Sequence, residues 1–111
     1  MKKENFLEKI PCRNGSINYT TNDKGIVTLE IENKGIFNKI AQRLFKKPKI
    51  SYIHLDEMGS FIWLLIDNKT NIIALGERVK DHFGEDAEPL YPRLSKYFGI
   101  LESYGFINIK Q

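Results

Sequence analysis

The spacing of apolar residues changes along this 111-residue chain. Between Ser16 and Glu32 they mostly alternate with polar ones, whereas beyond Asp56 they recur every third or fourth position. A strand turns every second side chain to one face and a helix turns a stripe, so the two periods put strands first and helices second. Segregation of that kind defines an α+β domain. The length holds one domain, residues 1–111, and is too short for a closed (β/α)8 barrel, which takes roughly 200 residues or more.

In the first half, Ser16 to Thr20 alternates, Asn22-Asp23-Lys24-Gly25 is a turn signal, and Ile26 to Glu32 alternates again. Val27, Leu29 and Ile31 share one face; Thr28, Glu30 and Glu32 share the other. The pattern predicts a β-hairpin with one solvated face. After the break at Asn33-Lys34-Gly35, Ile36, Phe37, Ile40, Leu44 and Phe45 fall at helical spacing among Lys39, Arg43, Lys46 and Lys47. Residues 34–48 therefore read as an inserted amphipathic basic helix that Pro48 stops. Its functional reading is a docking surface for an acidic peptide or a partner; the plain alternative is a cover over one sheet face. Ile50 to Leu55 returns to strand composition, giving a small three-stranded antiparallel sheet. Residues 1–15 are expected to be a flexible N-terminal segment.

In the second half, Asp56 is placed to cap a helix containing Met58, Phe61, Ile62, Trp63 and Leu65. Thr70 or Asn71 can cap a second, with Ile72, Leu75, Val79 and Phe83 on one stripe and Gly84 at its end. Pro89 suits the start of a third, whose stripe is Leu90, Leu94, Phe98 and Leu101. Gly105 is its expected C-terminal cap, before a short extended segment at Phe106–Ile109. Three helices and a closing strand outline a winged helix-turn-helix-like bundle.

Reactive side chains are scarce. One cysteine (Cys12) and two histidines (His54 and His82) cannot build a zinc cluster. A lone cysteine suits a reducing compartment, so a cytoplasmic location is expected. No phosphate loop or triad of acid, base and nucleophile is present, and the chain is expected not to be an enzyme and to need no metal or cofactor. His54 beside Asp56 is the one pair that could suggest acid–base work. Glu85, Asp86 and Glu88 read as a solvated connector at the positive end of the third helix. The N-terminus lacks the apolar core of a signal peptide, and the longest apolar run, Phe61–Ile66, is too short for a membrane span.

Charge is divided. Residues 1–49 carry 11 basic and 5 acidic side chains, a net of +6; residues 50–111 carry 6 and 9, a net of −3. The alternative of a winged-helix DNA-binding transcriptional regulator needs a basic start to the third helix. That start is Glu85-Asp86-Ala87-Glu88-Pro89, with only Arg93 and Lys96 to oppose it, so DNA ranks below a peptide as partner.

Three segments carry a family resemblance. Ile53-His54-Leu55-Asp56-Glu57-Met58-Gly59-Ser60-Phe61-Ile62-Trp63 resembles the passage from the third strand into the first helix of PqqD-like proteins. Asp67 to Ile73 is similar to that family's turn and second helix, and Leu101 to Ile107 to its ending. The resemblance spans roughly residues 16–109. Two departures are Asn68-Lys69, where the family's turn has Gly, and the insertion at 34–48. The resemblance implies a non-catalytic adaptor, a recognition element for ribosomally made and modified peptides, of the kind serving coenzyme PQQ biosynthesis. Such a domain holds the leader segment of a precursor peptide and presents it to a modifying enzyme, often a radical S-adenosylmethionine enzyme.

The implied mode is strand addition: the leader pairs with the edge of the third strand and sends apolar side chains into a groove against the third helix. The expected binding residues are Ile50, Ser51, Tyr52, Ile53 and His54 from the strand, and Leu90, Tyr91, Leu94, Tyr97, Phe98 and Leu101 from the helix. The plain alternative is that Ile53, Leu94, Phe98 and Leu101 are core. A free sheet edge would also serve homodimerisation.

Overall fold

The computed structural model describes residues 5–33 and 49–111; the basic helix expected over 34–48 lies outside them. A 3-10 turn (Phe6–Glu8) precedes β1 (Ile10–Arg13), β2 (Asn18–Thr21), β3 (Val27–Asn33) and β4 (Lys49–His54). Helices α1 (Glu57–Leu65), α2 (Ile72–Phe83) and α3 (Leu90–Ser103) follow, and then β5 (Ile107–Lys110). Strands before helices is the α+β order that the change of period implies.

β2, β3 and β4 form an antiparallel sheet in that order. The turn from β2 to β3 is shaped by Asn22, whose side-chain oxygen accepts the N–H groups of Lys24 and Ile26 at 2.9 Å each. Gly25 takes a φ of +79°, a conformation that costs glycine nothing. Val27 and Leu29 turn inward and are fully buried against the helices. They join a core of Ile62 and Trp63 from α1, Ile72, Leu75 and Val79 from α2, and Leu94 and Phe98 from α3.

Local chemistry fixes the helix ends. Asp56 caps α1 by accepting the Gly59 N–H at 2.7 Å, and Asn71 caps α2 through the Ala74 N–H at 2.9 Å. Thr70, the other candidate cap, instead donates its hydroxyl to Asp67. Where α3 ends, the Gly105 N–H reaches the Glu102 carbonyl and the Phe106 N–H that of Leu101. Gly105 lies at φ +79°, the left-handed cap that closes both carbonyls. Gly76 lets α2 and α3 approach: a Cβ there would meet Leu94 at 2.8 Å and Tyr91 at 3.0 Å.

Within the N-terminal segment expected to be flexible, Ile10–Arg13 form a strand. Ile10–Arg13 pair antiparallel with β5, Pro11 opposite Ile109 and Cys12 opposite Asn108. Pro11 is fully buried, and the Lys9 carbonyl accepts the Ile72 N–H at 3.1 Å. Ile-Pro-Cys-Arg has no alternation to read, and its partner strand lies at the far end of the sequence. Arg13 ties this strand to the larger sheet. Its guanidinium lies over the Tyr19 ring (5.2 Å) and the Trp63 ring (5.7 Å) and donates to the Tyr19 hydroxyl at 2.8 Å.

The turn before α2 explains one departure from the family pattern. Asn68 stands where a glycine is usual and has φ +65°, a conformation that Asn tolerates better than most residues. Its side-chain oxygen accepts the Arg13 N–H at 3.0 Å, a bond that glycine could not supply. Asp67 organises the same turn. The N–H of Lys69, the hydroxyl of Thr70 and the N–H of Thr70 all bond it and hold its carboxyl below the ordinary value.

Candidate functional site

β4 is the terminal strand of the described three-stranded sheet. Which of its backbone groups face outward follows from one bond. The Leu55 N–H donates to the Val27 carbonyl at 2.9 Å, which makes Val27 and Leu55 a hydrogen-bonded pair. In an antiparallel ladder such pairs alternate with non-bonded ones. With Leu29 opposite Ile53 and Ile31 opposite Ser51, residues 51 and 53 bond to β3. Ile50, Tyr52 and His54 direct their N–H and C=O groups away from it.

The side chains alternate with the same phase. Ile50, Tyr52 and His54 stand on the outer face opposite Glu32, Glu30 and Thr28. Tyr52 is 59% exposed and Ile50 41% exposed. His54 Nδ1 lies 2.8 Å from the Thr28 hydroxyl, and Asp56 caps α1. Each member of the suspected acid–base pair therefore has its own structural partner. Ile53 shares the inner face with Leu29; Leu29 is fully buried, but Ile53 is 37% exposed. The inner face is thus partly exposed at Ile53.

Ser60 locks β4 into α1. Its buried hydroxyl accepts the Val27 N–H at 2.8 Å and donates to the Leu55 carbonyl at 3.4 Å. One side chain thereby completes the last rung of the β3–β4 ladder, in place of a bridging water.

Beyond β4, a shallow pocket of about 80 Å³ opens between α1 and α3. Asp56, Met58, Gly59 and Ile62 line one side, and Leu90, Arg93, Leu94 and Tyr97 the other. The Tyr97 hydroxyl donates to the Gly59 carbonyl at 2.7 Å and so pins α3 to the first turn of α1. Burial, and secondarily the Asp56 charge, push the Tyr97 phenol far above its ordinary value, so it stays a donor. Gly59 fits this contact because a Cβ there would meet Asp56 Oδ1 at 2.8 Å and the Tyr97 ring at 3.3 Å.

The expected groove residues separate into groups. Leu90, Leu94 and Tyr97 line the pocket. Tyr91 is half-buried beside Gly76 of α2. Phe98 and Leu101 are buried in the core, as the inward stripe of an amphipathic helix should be. Ser51 is half-buried on the inner strand face. The expectation did not include Asp56, Met58, Gly59 and Ile62, or Arg93. Their signal was the small pair Gly59-Ser60 just after the Asp56 cap, where a close approach by another element is affordable.

At the start of α3, Glu85, Asp86 and Glu88 are exposed. A Glu88 carboxylate oxygen accepts the Leu90 N–H at 3.2 Å, and Arg93 donates to the Asp86 carbonyl at 2.8 Å. This is a solvated connector that also satisfies the helix N-terminus. Cys12 sits half-buried in β1 with its thiol 3.8 Å from the Ile10 carbonyl. Among the described residues, no helix is long and apolar enough to cross a membrane.

These features define a small α+β domain with an edge strand and, between its first and third helices, a shallow pocket. The family described as Coenzyme PQQ synthesis protein D (PqqD) matches residues 26–107. The chain belongs to the PqqD family. The match takes in β3, β4 and all three helices, and leaves β1, β2 and most of β5 outside. No curated protein and no solved structure matches the chain.

Proposed function

We propose that this chain is a non-catalytic adaptor that binds the leader segment of a ribosomally made precursor peptide by strand addition along β4. It presents that peptide to a modifying enzyme, such as a radical S-adenosylmethionine enzyme. The observation that carries the reading is the phase of β4: on the terminal strand, Ile50, Tyr52 and His54 direct their backbone groups away from β3. Three residues of that phase offer up to six backbone hydrogen bonds to an added strand. Those bonds supply affinity with little dependence on sequence, and the adjoining pocket supplies selectivity. Membership of the PqqD family points the same way. The helices followed by β5 are read as a winged helix-turn-helix-like layout used for peptide rather than DNA, since Glu85, Asp86 and Glu88 stand exposed where α3 would meet phosphates.

The test is an amide NMR titration of the chain with candidate precursor peptides encoded beside it. Binding should shift Ile50, Tyr52 and His54 together with Tyr97. Failure to bind any such peptide, alongside tight and salt-dependent binding of duplex DNA, would overturn the adaptor in favour of a DNA-binding regulator.

A further inference from the structure

We infer that β2 is a second strand-accepting edge, and that Arg13 selects for it an extended peptide segment with a carboxylate beside the Tyr19 ring. β2 lies at the opposite edge of the sheet from β4 and outside the stretch that matches the family. Its phase follows from one bond. The Asn22 N–H donates to the Ile26 carbonyl at 3.0 Å, which makes Asn22 and Ile26 a hydrogen-bonded pair. With Thr20 opposite Thr28 and Asn18 opposite Glu30, alternation bonds residues 18 and 20 to β3 as well. Tyr19 and Thr21 therefore direct their N–H and C=O groups away from the sheet. All four residues of β2 are exposed, and Asn18-Tyr19-Thr20-Thr21 carries neither the proline nor the charge that usually guards an edge. β1 lacks this opening. The Asn14 N–H bonds the Phe106 carbonyl, so the outward positions of β1 are Pro11, which has no N–H, and Arg13, whose N–H is held by Asn68.

Arg13 gives this edge its preference. The residue is half-buried, and its guanidinium lies over the Tyr19 and Trp63 rings and donates to the Tyr19 hydroxyl. Among the described residues no carboxylate bonds to it. In the same cluster the Trp63 indole N–H is buried without an acceptor, so donors outnumber acceptors here. A partly desolvated guanidinium is matched by a carboxylate, which its fork can hold by two bonds. Tyr19 stands on the inner face, opposite Leu29. A peptide residue paired with Tyr19 would turn its side chain to that same face, with its Cα about 5.5 Å away. An Asp or Glu there stands beside the ring that carries the guanidinium. The net charge of +6 over residues 1–49 favours the same partner. The β2 strand of a second copy is uncharged and would bring no carboxylate.

The experiment selects a phage-displayed library of random twelve-residue peptides on the full chain and sorts the enriched peptides by the amides they shift. One class should shift Tyr19 and Thr21, leave Ile50, Tyr52 and His54 unmoved, and carry Asp or Glu at one shared position. Replacing that acid by Asn or Gln should weaken binding about tenfold, the loss expected for a charge-assisted hydrogen bond. Arg13→Met keeps an apolar stem over the rings. It should weaken the acidic peptide by the same factor and leave the Asn or Gln version unchanged, a coupling that a purely structural Arg13 would not show. Thr21→Pro removes an outward N–H, spares the β2–β3 bonds and should weaken both peptides. Absence of any class at β2 would overturn the second edge while leaving the β4 reading untouched. A class at β2 whose affinity depends neither on the acid nor on Arg13 would overturn the selection. A chain that sediments as a dimer, and as a monomer once Thr21→Pro is made, would give the edge to a second copy and overturn the proposal.

Discussion

Proline at two neighbouring positions of β4 separates the edge from the ladder. The Tyr52 N–H points away from β3, so Tyr52→Pro keeps every β3–β4 bond, and an edge strand tolerates proline there. Its cost to folding should stay within about 1 kcal/mol. The Ile53 N–H faces Leu29, whose residue is fully buried. Ile53→Pro leaves the Leu29 carbonyl without its donor, which costs about 1–3 kcal/mol, and adds the loss of the isoleucine side chain. Together these should approach about 3 kcal/mol, a large part of the 5–15 kcal/mol that typically holds a domain. For the peptide the order reverses. Tyr52→Pro removes one of up to six backbone bonds, about 1 kcal/mol net, and affinity should fall about fivefold. Tyr52→Thr, which keeps the N–H, controls for the lost ring. Urea unfolding followed by Trp63 fluorescence reads the stabilities, and NMR titration reads the affinities. An unfolded Tyr52→Pro beside a stable Ile53→Pro would refute the ladder phase. A folded Tyr52→Pro with unchanged affinity would refute strand addition.

Three further outcomes are expected. Ser60→Ala strips the bridging hydroxyl from the Val27 N–H and the Leu55 carbonyl; chemical denaturation should show a loss of about 2 kcal/mol, and a change under about 0.5 kcal/mol would contradict the bridge. Asn68→Val forces a β-branched residue to φ +65° and should destabilise by about 1–3 kcal/mol; Asn68→Gly relieves the backbone but loses the Arg13 bond, and should land near neutral in the same measurement. Asp67 is depressed in the fold, so its contribution is complete above its unfolded value near 3.8 and fades as the pH falls through the lower folded one. Asp67→Asn should flatten that part of the acid-unfolding curve, and an unaltered curve would show that the turn does not hold the carboxylate.

Much of the fold was legible because its signals are local. The Asn22–Gly25 turn, the Asp56 cap and the Gly105 cap each need only a few adjacent residues, and each forms with the chemistry its sequence suggests. The apolar stripe of α3 was legible as a stripe, but its target was not. Phe98 and Leu101 face the core, whereas Leu90 and Leu94 also reach the pocket. Periodicity shows that residues share a helix face; it does not show where the neighbouring helix stops covering it. The pairing of β1 with β5 and the Ser60 bridge were illegible for a different reason. Both depend on partners distant in sequence, and a serine inside a helix carries no mark of what it will reach.

The pairing of β1 with β5 also orders events during synthesis. Pro11 and Ile109 face each other from positions 98 apart, so this small sheet must wait until β5 has left the ribosome. The β2–β3 hairpin and its extension to β4 use contacts much closer in sequence, of the kind that form sooner. Until Ile107–Lys110 emerge, therefore, the Pro11 strand of the nascent chain has no β5 to pair with. Hydrogen exchange on ribosome-bound chains of increasing length should show β3 protected before β1.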